Sequence, residues 1–389
     1  MSHKDRQGPL ANLRIIEIGT MIAGPVCCTL LADLGADVIK VEEPNGDPLR
    51  HAGPQMNGEG IWFHVENRGK RSVTCNLRTE EGQAFFKDLV RTADVVVENF
   101  RPGTLDRWNI GYSALKIVNP RLVMLSISGF GQTGPYAQRA AYDRIALAFS
   151  GLLGATGFAD RPPVRPATSI ADYQGALFGA FAIMSALYFR DAAGGDGQHI
   201  DLALYESVFR FTDMMVTAYA ALGIDRPRRG NIHFAAAPGD HFPTADGRYI
   251  VLTCSNNAIF ARLAKAIGRD DLIDDPRFRT HDDRFANIEE INSLIAEWIA
   301  QQPVNQILDL FDANGIAYSL IYSPADILSD PHYAARKSIA TVETRAGTLQ
   351  MPAALPKMSL SPPPAIRPAP SLGEHDAEIR KEIEAASKT

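Results

Sequence analysis

Between residues 13 and 128, short continuous apolar runs are separated by longer segments with helical periodicity. The runs predict buried strands, and the segments between them predict helices such as 23–34 and 80–92. The predicted strands are 13–18, 37–42, 71–77, 95–98 and 122–128. Because strands and helices alternate, the pattern predicts an α/β fold with a doubly wound parallel sheet. Ligands of such sheets usually bind outside the carboxyl ends of the strands.

The pattern changes after residue 142, where long apolar helices are predicted at 172–189 and 202–222. The chain then becomes polar and irregular, which predicts a linker over 224–239. Asp246-Gly247 lies between two strand-like segments and predicts a hairpin. The helices predicted after it are 257–267, 289–301 and 305–314. Together these elements indicate a small α+β domain over 240–322.

The last part of the chain contains a second predicted hairpin, with strands at 339–344 and 348–351. A proline-rich stretch from 352 to 370 follows and is expected to be extended. We expect this C-terminal segment, 323–389, to return to the first domain. The sequence therefore predicts a large domain over 1–223, the linker, the small domain and the returning segment.

The composition is that of a soluble globular protein, with 46% hydrophobic and 22% charged residues, and it excludes a disordered or coiled-coil chain. The formal net charge is −6, so no global basic field attracts nucleic acid or an anionic membrane. The longest apolar stretches, 145–159 and 175–189, are shorter than the ~20 residues of a spanning helix. Residues 1–14 contain no apolar signal segment. We therefore expect a cytoplasmic protein without nucleic-acid or membrane partners.

Several familiar chemistries lack their motifs. The turn from Gly19 to Pro25 fits neither the G-x-G-x-x-G fingerprint of dinucleotide sites nor a P-loop, which needs Lys and Ser or Thr where Pro25 and Val26 stand. The nine histidines form no H-x-x-x-H pair, the four cysteines form no C-x-x-C pair, and no G-x-S-x-G elbow occurs. The sequence thus predicts no metal site, no serine-hydrolase site, and reduced, buried thiols.

One polar residue is placed unusually: Asp172 opens a predicted helix that is apolar for most of its length. Aspartate is a preferred N-cap, and a capping side chain contributes about 1 kcal/mol by accepting backbone N–H bonds. From the residues alone, a structural cap is the first interpretation of Asp172.

Seven segments, spread from residue 13 to about residue 374, carry a resemblance to a known family. They are LRIIEIGTMIAGPVCCTLLADLGADVIKVEEPNGDPLR at 13–50, NRGKRSVTCNL at 67–77, DVVVENFRPGTLDR at 94–107, GFGQTGPYAQRAAYD at 129–143, ATSIADYQGALFGAFAIMSAL at 167–187, GDGQHIDLALYESV at 195–208 and SLGEHD at 371–376. In this order they resemble the class III coenzyme A transferases, the CaiB/BaiF family, which also contains the 2-methylacyl-CoA racemases.

The resemblance implies a Rossmann-like large domain built from both chain ends, an inserted small domain, and a homodimer of two interlocked subunits. The linkers at 224–239 and about 320–335 would wrap the partner. The sheet is then expected to bind CoA rather than a dinucleotide, which agrees with the missing glycine fingerprint. The expected substrates are an acyl-CoA and a small carboxylic acid, with no tightly bound cofactor.

Asp172 stands where the family carries its nucleophilic aspartate. The resemblance implies that this carboxylate attacks an acyl-CoA and forms a mixed anhydride. The released thiolate converts the anhydride into an aspartyl-CoA thioester, from which CoA passes to the incoming acid. A helix N-terminus favours the ionised carboxylate, so the roles of cap and nucleophile are compatible.

The resemblance also places seven residues near the CoA chain. Arg107 is expected to pair with a phosphate. Cys75 falls where relatives use backbone atoms against adenine, so its thiol is expected to be incidental. Ile22 stands where the formyl-CoA:oxalate branch carries glutamine, which argues against that branch. The seven residues are Met21, Ile22, Ala23, Cys75, Asn99, Phe100 and Arg107.

Tyr142 separates the two branches of the family, because the racemases carry there a histidine that acts as a base together with the aspartate. Tyrosine has a reference pKa of about 10 and is a poor base at pH 7. The sequence therefore favours a transferase in which Tyr142 shapes the acyl pocket or donates a hydrogen bond. A racemase stays the alternative, and a CoA-binding protein without activity is another.

Three arginines near the catalytic segment are candidates to bind the distal carboxylate of a dicarboxylic acid in a bidentate ion pair: Arg139, Arg144 and Arg165. Solvent-exposed side chains are the alternative for each. The hypothesis favours succinyl-CoA or a similar dicarboxylyl-CoA as donor and a small organic acid as acceptor.

Overall fold

The computed structural model describes residues 7–386 of the chain. Its strands are β1 (Arg14–Glu17), β2 (Asp37–Glu42), β3 (Gln55–Met56), β4 (Glu59–Gly60), β5 (Arg71–Thr74), β6 (Val95–Glu98), β7 (Val123–Ser128), β8 (His199–Ala203), β9 (Gly239–Pro243), β10 (Tyr249–Thr253), β11 (Tyr318–Leu320), β12 (Ile339–Thr344) and β13 (Gly347–Pro352). Its helices are α1 (Ala23–Asp33), α2 (Ile61–Glu66), α3 (Glu80–Arg91), α4 (Thr104–Arg107), α5 (Tyr112–Val118), α6 (Asp143–Phe149), α7 (Leu152–Ala155), α8 (Ile170–Asp191), α9 (Leu204–Phe209), α10 (Met215–Leu222), α11 (Asn257–Ala266), α12 (Asp271–Asp274), α13 (His281–Ala286), α14 (Ile288–Ile299), α15 (Val304–Ala313), α16 (Pro324–Ser329), α17 (Pro331–Ala335) and α18 (Asp376–Ala386).

Six parallel strands form the main sheet, in the spatial order β5-β2-β1-β6-β7-β8. Numbered along the chain, this is the 3-2-1-4-5-6 order of Rossmann sheets. The order reverses between β1 and β6, and the carboxyl ends at this switch point are the usual ligand site of such a sheet. The prediction of an α/β fold with a parallel sheet is confirmed.

Apolar layers cover both faces of this sheet. On one face, α1 and α8 contribute Val26 and Ile183 to a continuous buried core. On the other face, α3 and the C-terminal α18 contribute Phe86 and Ile379 to a second core. Because α18 packs beside β5, the C-terminal part of the chain completes a layer whose strands come from the N-terminal part.

The segment predicted as one helix over 202–222 is divided in the structure. Its first residues complete β8, an edge strand of the main sheet, and α9 begins at Leu204 without an intervening loop. A separate helix, α10, ends at Gly223, which has a left-handed φ of 66°. The prediction of one helix is wrong because the apolar positions of this short strand run directly into those of α9, so periodicity does not separate them.

The chain divides into two compact units. The larger unit runs through Leu153, continues from Arg165 to Asp225, and resumes at Pro331. The smaller unit contains Gly154–Val164 and Arg226–Asp330. It has its own antiparallel sheet, in the order β11-β10-β9, and an apolar core shared with α11, α14 and α15. The hairpin predicted near the start of the small domain is present as β9 and β10.

Among the described residues, one helix is long and apolar enough to cross a membrane by length and composition alone. This helix is α8, with a mean hydropathy of 1.3 over an 18-residue window that is 39% buried. The core helix of a soluble protein meets the same criterion, and α8 packs against α1, α6 and α9.

Candidate active site

The turn after β1 lies at the switch point and is held by side chains from two other loops. Asn99, which follows β6, bonds both polar groups of the Thr20 backbone: Oδ1 accepts the N–H at 2.9 Å, and Nδ2 donates to the carbonyl at 2.8 Å. Met21 has a left-handed backbone with a φ of 64°, and its N–H donates to Asp47 Oδ1 at 3.2 Å. Asn99 therefore uses its amide within the protein and holds the turn in place.

A cavity of about 420 Å³ opens at the carboxyl ends of β1, β6 and β7. Eight of the eleven site residues predicted from the sequence line it, and they come from separate segments of the chain. They are Met21, Ile22, Ala23, Asn99, Phe100, Arg139, Tyr142 and Asp172.

Asp172 reaches the cavity as the third residue of α8. The N-cap of this helix is Ser169, whose side chain makes no capping bond. Asp143, the first residue of α6, supplies an acceptor instead, because its Oδ1 accepts the Ala171 N–H at 2.8 Å. The interpretation of Asp172 as a plain N-cap is therefore wrong, and a neighbouring carboxylate performs that task.

Burial, followed by the negative charge of Asp143, raises the pKa of Asp172 to about 7. This differs from the expectation that the helix N-terminus keeps Asp172 ionised at neutral pH. The loss of hydration in the cavity outweighs the favourable field of the helix end. Asp172 is therefore expected to take up a proton at a higher pH than an ordinary aspartate does.

Arg139 and Tyr142 belong to the loop before α6, which lies directly against the end of the sheet. A Cβ on Gly129, the residue after β7, would come within 2.1 Å of Ala141 Cβ, so this approach requires glycine. Tyr142 is 76% exposed, and the Arg139 guanidinium carbon lies 3.6 Å from the centre of the Tyr136 ring. Within the described chain, no histidine lines the cavity beside Asp172, so it lacks the second base of the racemase alternative.

Three of the predicted site residues lie outside this cavity. Cys75 is buried, its Sγ donates to a backbone carbonyl at 3.3 Å, and burial raises the pKa of the thiol to about 11. Arg107 is exposed and donates to Thr104 Oγ1 at 3.0 Å. Arg165 points to the carboxylate that caps α8, with 3.5 Å between its Nη2 and Asp143 Oδ2.

Sequence reasoning missed Asp143 and Trp62, which also line the cavity. Asp143 is 6% exposed and directly follows Tyr142. An acidic residue just before an apolar segment is typical of a helix N-terminus, so this signal was available. No motif marks Trp62, which reaches the cavity from α2.

The side chains around the cavity suit acyl transfer. Asp172 is a partly desolvated carboxylate of a kind that can attack a carbonyl, and Ile22 and Leu204 give the same cavity apolar walls. Arg139 offers a cation for an anionic substrate. Over residues 7–386, no group of three or more His, Cys, Asp or Glu side chains is arranged to hold a metal ion.

The fold and the cavity together define a Rossmann-type α/β protein with a partly buried aspartate in a cavity at the switch point of its sheet. The model of CoA-transferase family III matches residues 10–376, and the chain belongs to this family. It is 42% identical to the succinyl-CoA–D-citramalate CoA-transferase of Chloroflexus aurantiacus, over 97% of this chain and 95% of that protein. It is 36% identical to the succinate–glutarate CoA-transferase of Agrobacterium fabrum, over 99% and 98% of the two chains.

Solved structures agree with these relationships. A crystal structure of a CAIB/BAIF family protein from Brucella suis matches with a TM-score of 0.87 at 37% identity, covering 97% of this chain and 100% of that chain. The chain is therefore a CoA transferase.

Proposed function

We propose that this protein moves CoA between carboxylic acids through a covalent intermediate on Asp172. The Asp172 carboxylate attacks the thioester carbonyl of the donor, the C–S bond breaks, and CoA leaves as its thiolate. The thiolate then attacks the Asp172 carbonyl carbon of the anhydride, releases the donor acid and leaves an aspartyl-CoA thioester. The acceptor carboxylate attacks this thioester, and the thiolate splits the second anhydride to give the new acyl-CoA and free Asp172.

The observation that carries this proposal is the position of Asp172 in the cavity at the β1–β6 switch point. No step consumes water or a proton, so both acyl intermediates need protection from hydrolysis. The partial desolvation that raises the pKa of Asp172 supports such a protected environment.

We propose dicarboxylic acids as the substrates, with succinyl-CoA as a donor. The names of the two relatives described above include succinyl-CoA, D-citramalate, succinate and glutarate. Arg139 lines the cavity, and its guanidinium can bind a distal carboxylate in a bidentate pair. Arg165 does not line the cavity and lies near Asp143, so Arg139 is the better candidate.

CoA itself is expected to lie along the turn after β1 and the loop after β6. The cavity has a volume that suits the acyl group and the end of the pantetheine arm. The nucleotide end would extend out of the cavity, where the exposed Arg107 can pair with a phosphate.

We also propose that two copies of the chain form the interlocked homodimer. The larger unit exposes apolar side chains on α8 and α10, and these remain uncovered in a single chain. They include Leu177, Phe181, Tyr188 and Leu222, which are 58%, 70%, 71% and 71% exposed. Large exposed apolar surfaces mark interaction sites, and a second copy would cover this one.

A transfer assay tests the proposed reaction. Succinyl-CoA is mixed with mono- and dicarboxylic acceptors, and new acyl-CoA esters are identified by mass spectrometry. The wild type is expected to form esters of dicarboxylic acids. Asp172→Asn is expected to lower the rate on the order of 10³-fold or more while its circular dichroism is unchanged. Transfer at the wild-type rate by Asp172→Asn would contradict the proposal.

A further inference from the structure

Beneath the turn after β1, four charged side chains form a buried cluster. Lys40 Nζ lies 2.6 Å from Glu17 Oε1 and 2.8 Å from Asp47 Oδ2, and Lys70 Nζ lies 2.7 Å from Glu17 Oε2. Each of the four side chains is at most 1% exposed. Two lysines and two carboxylates balance in charge, so the cluster carries no net charge.

Three members of this buried cluster also bond the backbone of the turn or its flanks. Their contacts are Lys40 Nζ to Gly19 O at 3.1 Å, Lys70 Nζ to Pro25 O at 2.8 Å, and Met21 N to Asp47 Oδ1 at 3.2 Å. Burying four charges is costly, and well-packed apolar side chains are often at least as stabilising as a buried ion pair. Apolar side chains, however, cannot bond the backbone groups of the turn.

We infer that the buried cluster is a positioning device for the left-handed turn at Met21, which forms the cavity wall beside Asp172. A non-glycine residue in this backbone region persists only where the surroundings over-determine it. Asp47 fixes the backbone of Met21 in this way, because its Oδ1 accepts the Met21 N–H while its Oδ2 forms an ion pair with Lys40. The effect on catalysis rests on the proposed function, whereas the effect on the turn does not.

The position of the turn matters for acyl transfer because reacting atoms must be held about 3–3.5 Å apart. Met21, Ile22 and Ala23 line the same cavity as Asp172, so a displaced turn displaces the donor thioester from the carboxylate. The buried cluster is therefore expected to affect the rate with acyl-CoA beyond its effect on stability.

A matched pair of variants separates positioning from stability. Asp47→Asn keeps the size of the side chain but removes the charge that faces Lys40. Asp33→Asn is the control, because Asp33 forms a buried ion pair at 2.6 Å in the same unit and its two carboxylate oxygens bond Arg68 rather than the turn. Thermal unfolding of both variants sets a temperature at which each is folded.

At that temperature, Asp47→Asn is expected to lower kcat/KM for succinyl-CoA at least tenfold below Asp33→Asn. Amide exchange at Met21 is expected to be at least tenfold faster in Asp47→Asn than in the control. If either quantity is the same in the two variants, the inference is overturned. Lys40→Arg replaces Asp47→Asn, with the same expectations, if the latter does not fold.

The two measurements also separate this inference from the proposed function. A wild type that transfers no CoA contradicts the proposed function, and amide exchange at Met21 then decides whether the buried cluster positions the turn. An active wild type with unchanged kcat/KM in Asp47→Asn contradicts the inference alone.

Discussion

At the residue scale, the raised pKa of Asp172 predicts that removal of the carboxylate charge stabilises the fold. The same change is expected to stop transfer, because the proposed nucleophile is lost. Above pH 7 the carboxylate is ionised in both folded and unfolded chains, so the folded state bears the full cost of burying the charge. As the pH falls from about 7 toward the ordinary value of 3.8, the folded state takes up a proton first and this cost disappears.

Asp172→Asn is therefore expected to raise the Tm at pH 8, with a gain of roughly 1–3 kcal/mol in the free energy of unfolding. The gain is expected to shrink as the pH is lowered to 5. Thermal unfolding of wild type and variant across this pH range measures it. A lower Tm in the variant at pH 8, or a difference that does not depend on pH, would contradict the account.

Asp143 offers a second test of the same electrostatics. In Asp143→Asn the side-chain oxygen can still accept the Ala171 N–H, but the negative charge near Asp172 is lost. The pKa of Asp172 is therefore expected to fall. As the pH is lowered, kcat/KM of the variant is then expected to decline at a lower pH than kcat/KM of the wild type does. The pH profile of kcat/KM for succinyl-CoA reports this pKa in the free enzyme. An acidic limb that stays at about pH 7 argues against a role for the Asp143 charge.

Arg139 is expected to set the preference for dicarboxylates. Arg139→Ala removes a guanidinium from the cavity, and its KM for dicarboxylic acceptors is expected to rise at least tenfold, with little change for monocarboxylic acids. Arg144→Ala is the control, because Arg144 is exposed and does not line the cavity. Steady-state kinetics with a matched pair of acids measures the effect. Equal changes for both classes of acid in Arg139→Ala would exclude the ion pair.

The part of the candidate site that could be predicted from the sequence consists of residues in the segments that resemble the family. Eight of the eleven predicted residues meet at one cavity, and the resemblance located all of them except Asp172, which its unusual placement had already singled out. The pKa of Asp172 could not be predicted, because it depends on burial by several segments and on Asp143, which is distant in the chain. Asp47 could not be predicted either, since an aspartate before proline is typical of an ordinary turn.

At the scale of elements, β7 and the loop before α6 meet at a close contact between Gly129 and Ala141. Gly129→Ala would push Ala141 away, and with it the loop that carries Arg139 and Tyr142. The variant is expected to lose at least tenfold in kcat/KM for succinyl-CoA while its far-ultraviolet circular dichroism is unchanged. Gly154→Ala is the control, because its added Cβ meets no atom within 4 Å. Equal activity in the two variants would show that this close approach is not needed.

The elements themselves were predictable where local signals and burial agree. The ranges of β2 and β6 match their predictions, and α3 has Thr79 as its N-cap, whose side chain accepts the Gly82 N–H. The edge strand β8 was not separated from the helix that follows, because it has only five residues and its last apolar positions run directly into α9. Pairing with β7 makes it a strand, and that contact is not local.

At the scale of the whole molecule, the exposed apolar side chains of α8 predict that the protein self-associates. Phe181→Glu places a charge on a residue that is 70% exposed in one chain, so it is expected to weaken the dimer with little effect on the fold of the monomer. Ile117→Glu, on the 84% exposed side chain of α5, is the control. Sedimentation equilibrium measures the mass. A monomeric wild type, or a dimer equally stable in all three proteins, would contradict the proposed interface.

The central claim is that Asp172 carries CoA covalently during transfer. The most direct measurement is to mix the protein with succinyl-CoA, reduce it with borohydride, and identify the peptide that contains residue 172 by mass spectrometry. An aspartyl-CoA thioester is reduced to an alcohol, so the account predicts homoserine at position 172 only when the donor is present. An unmodified aspartate in a protein that is transferring CoA would contradict the account.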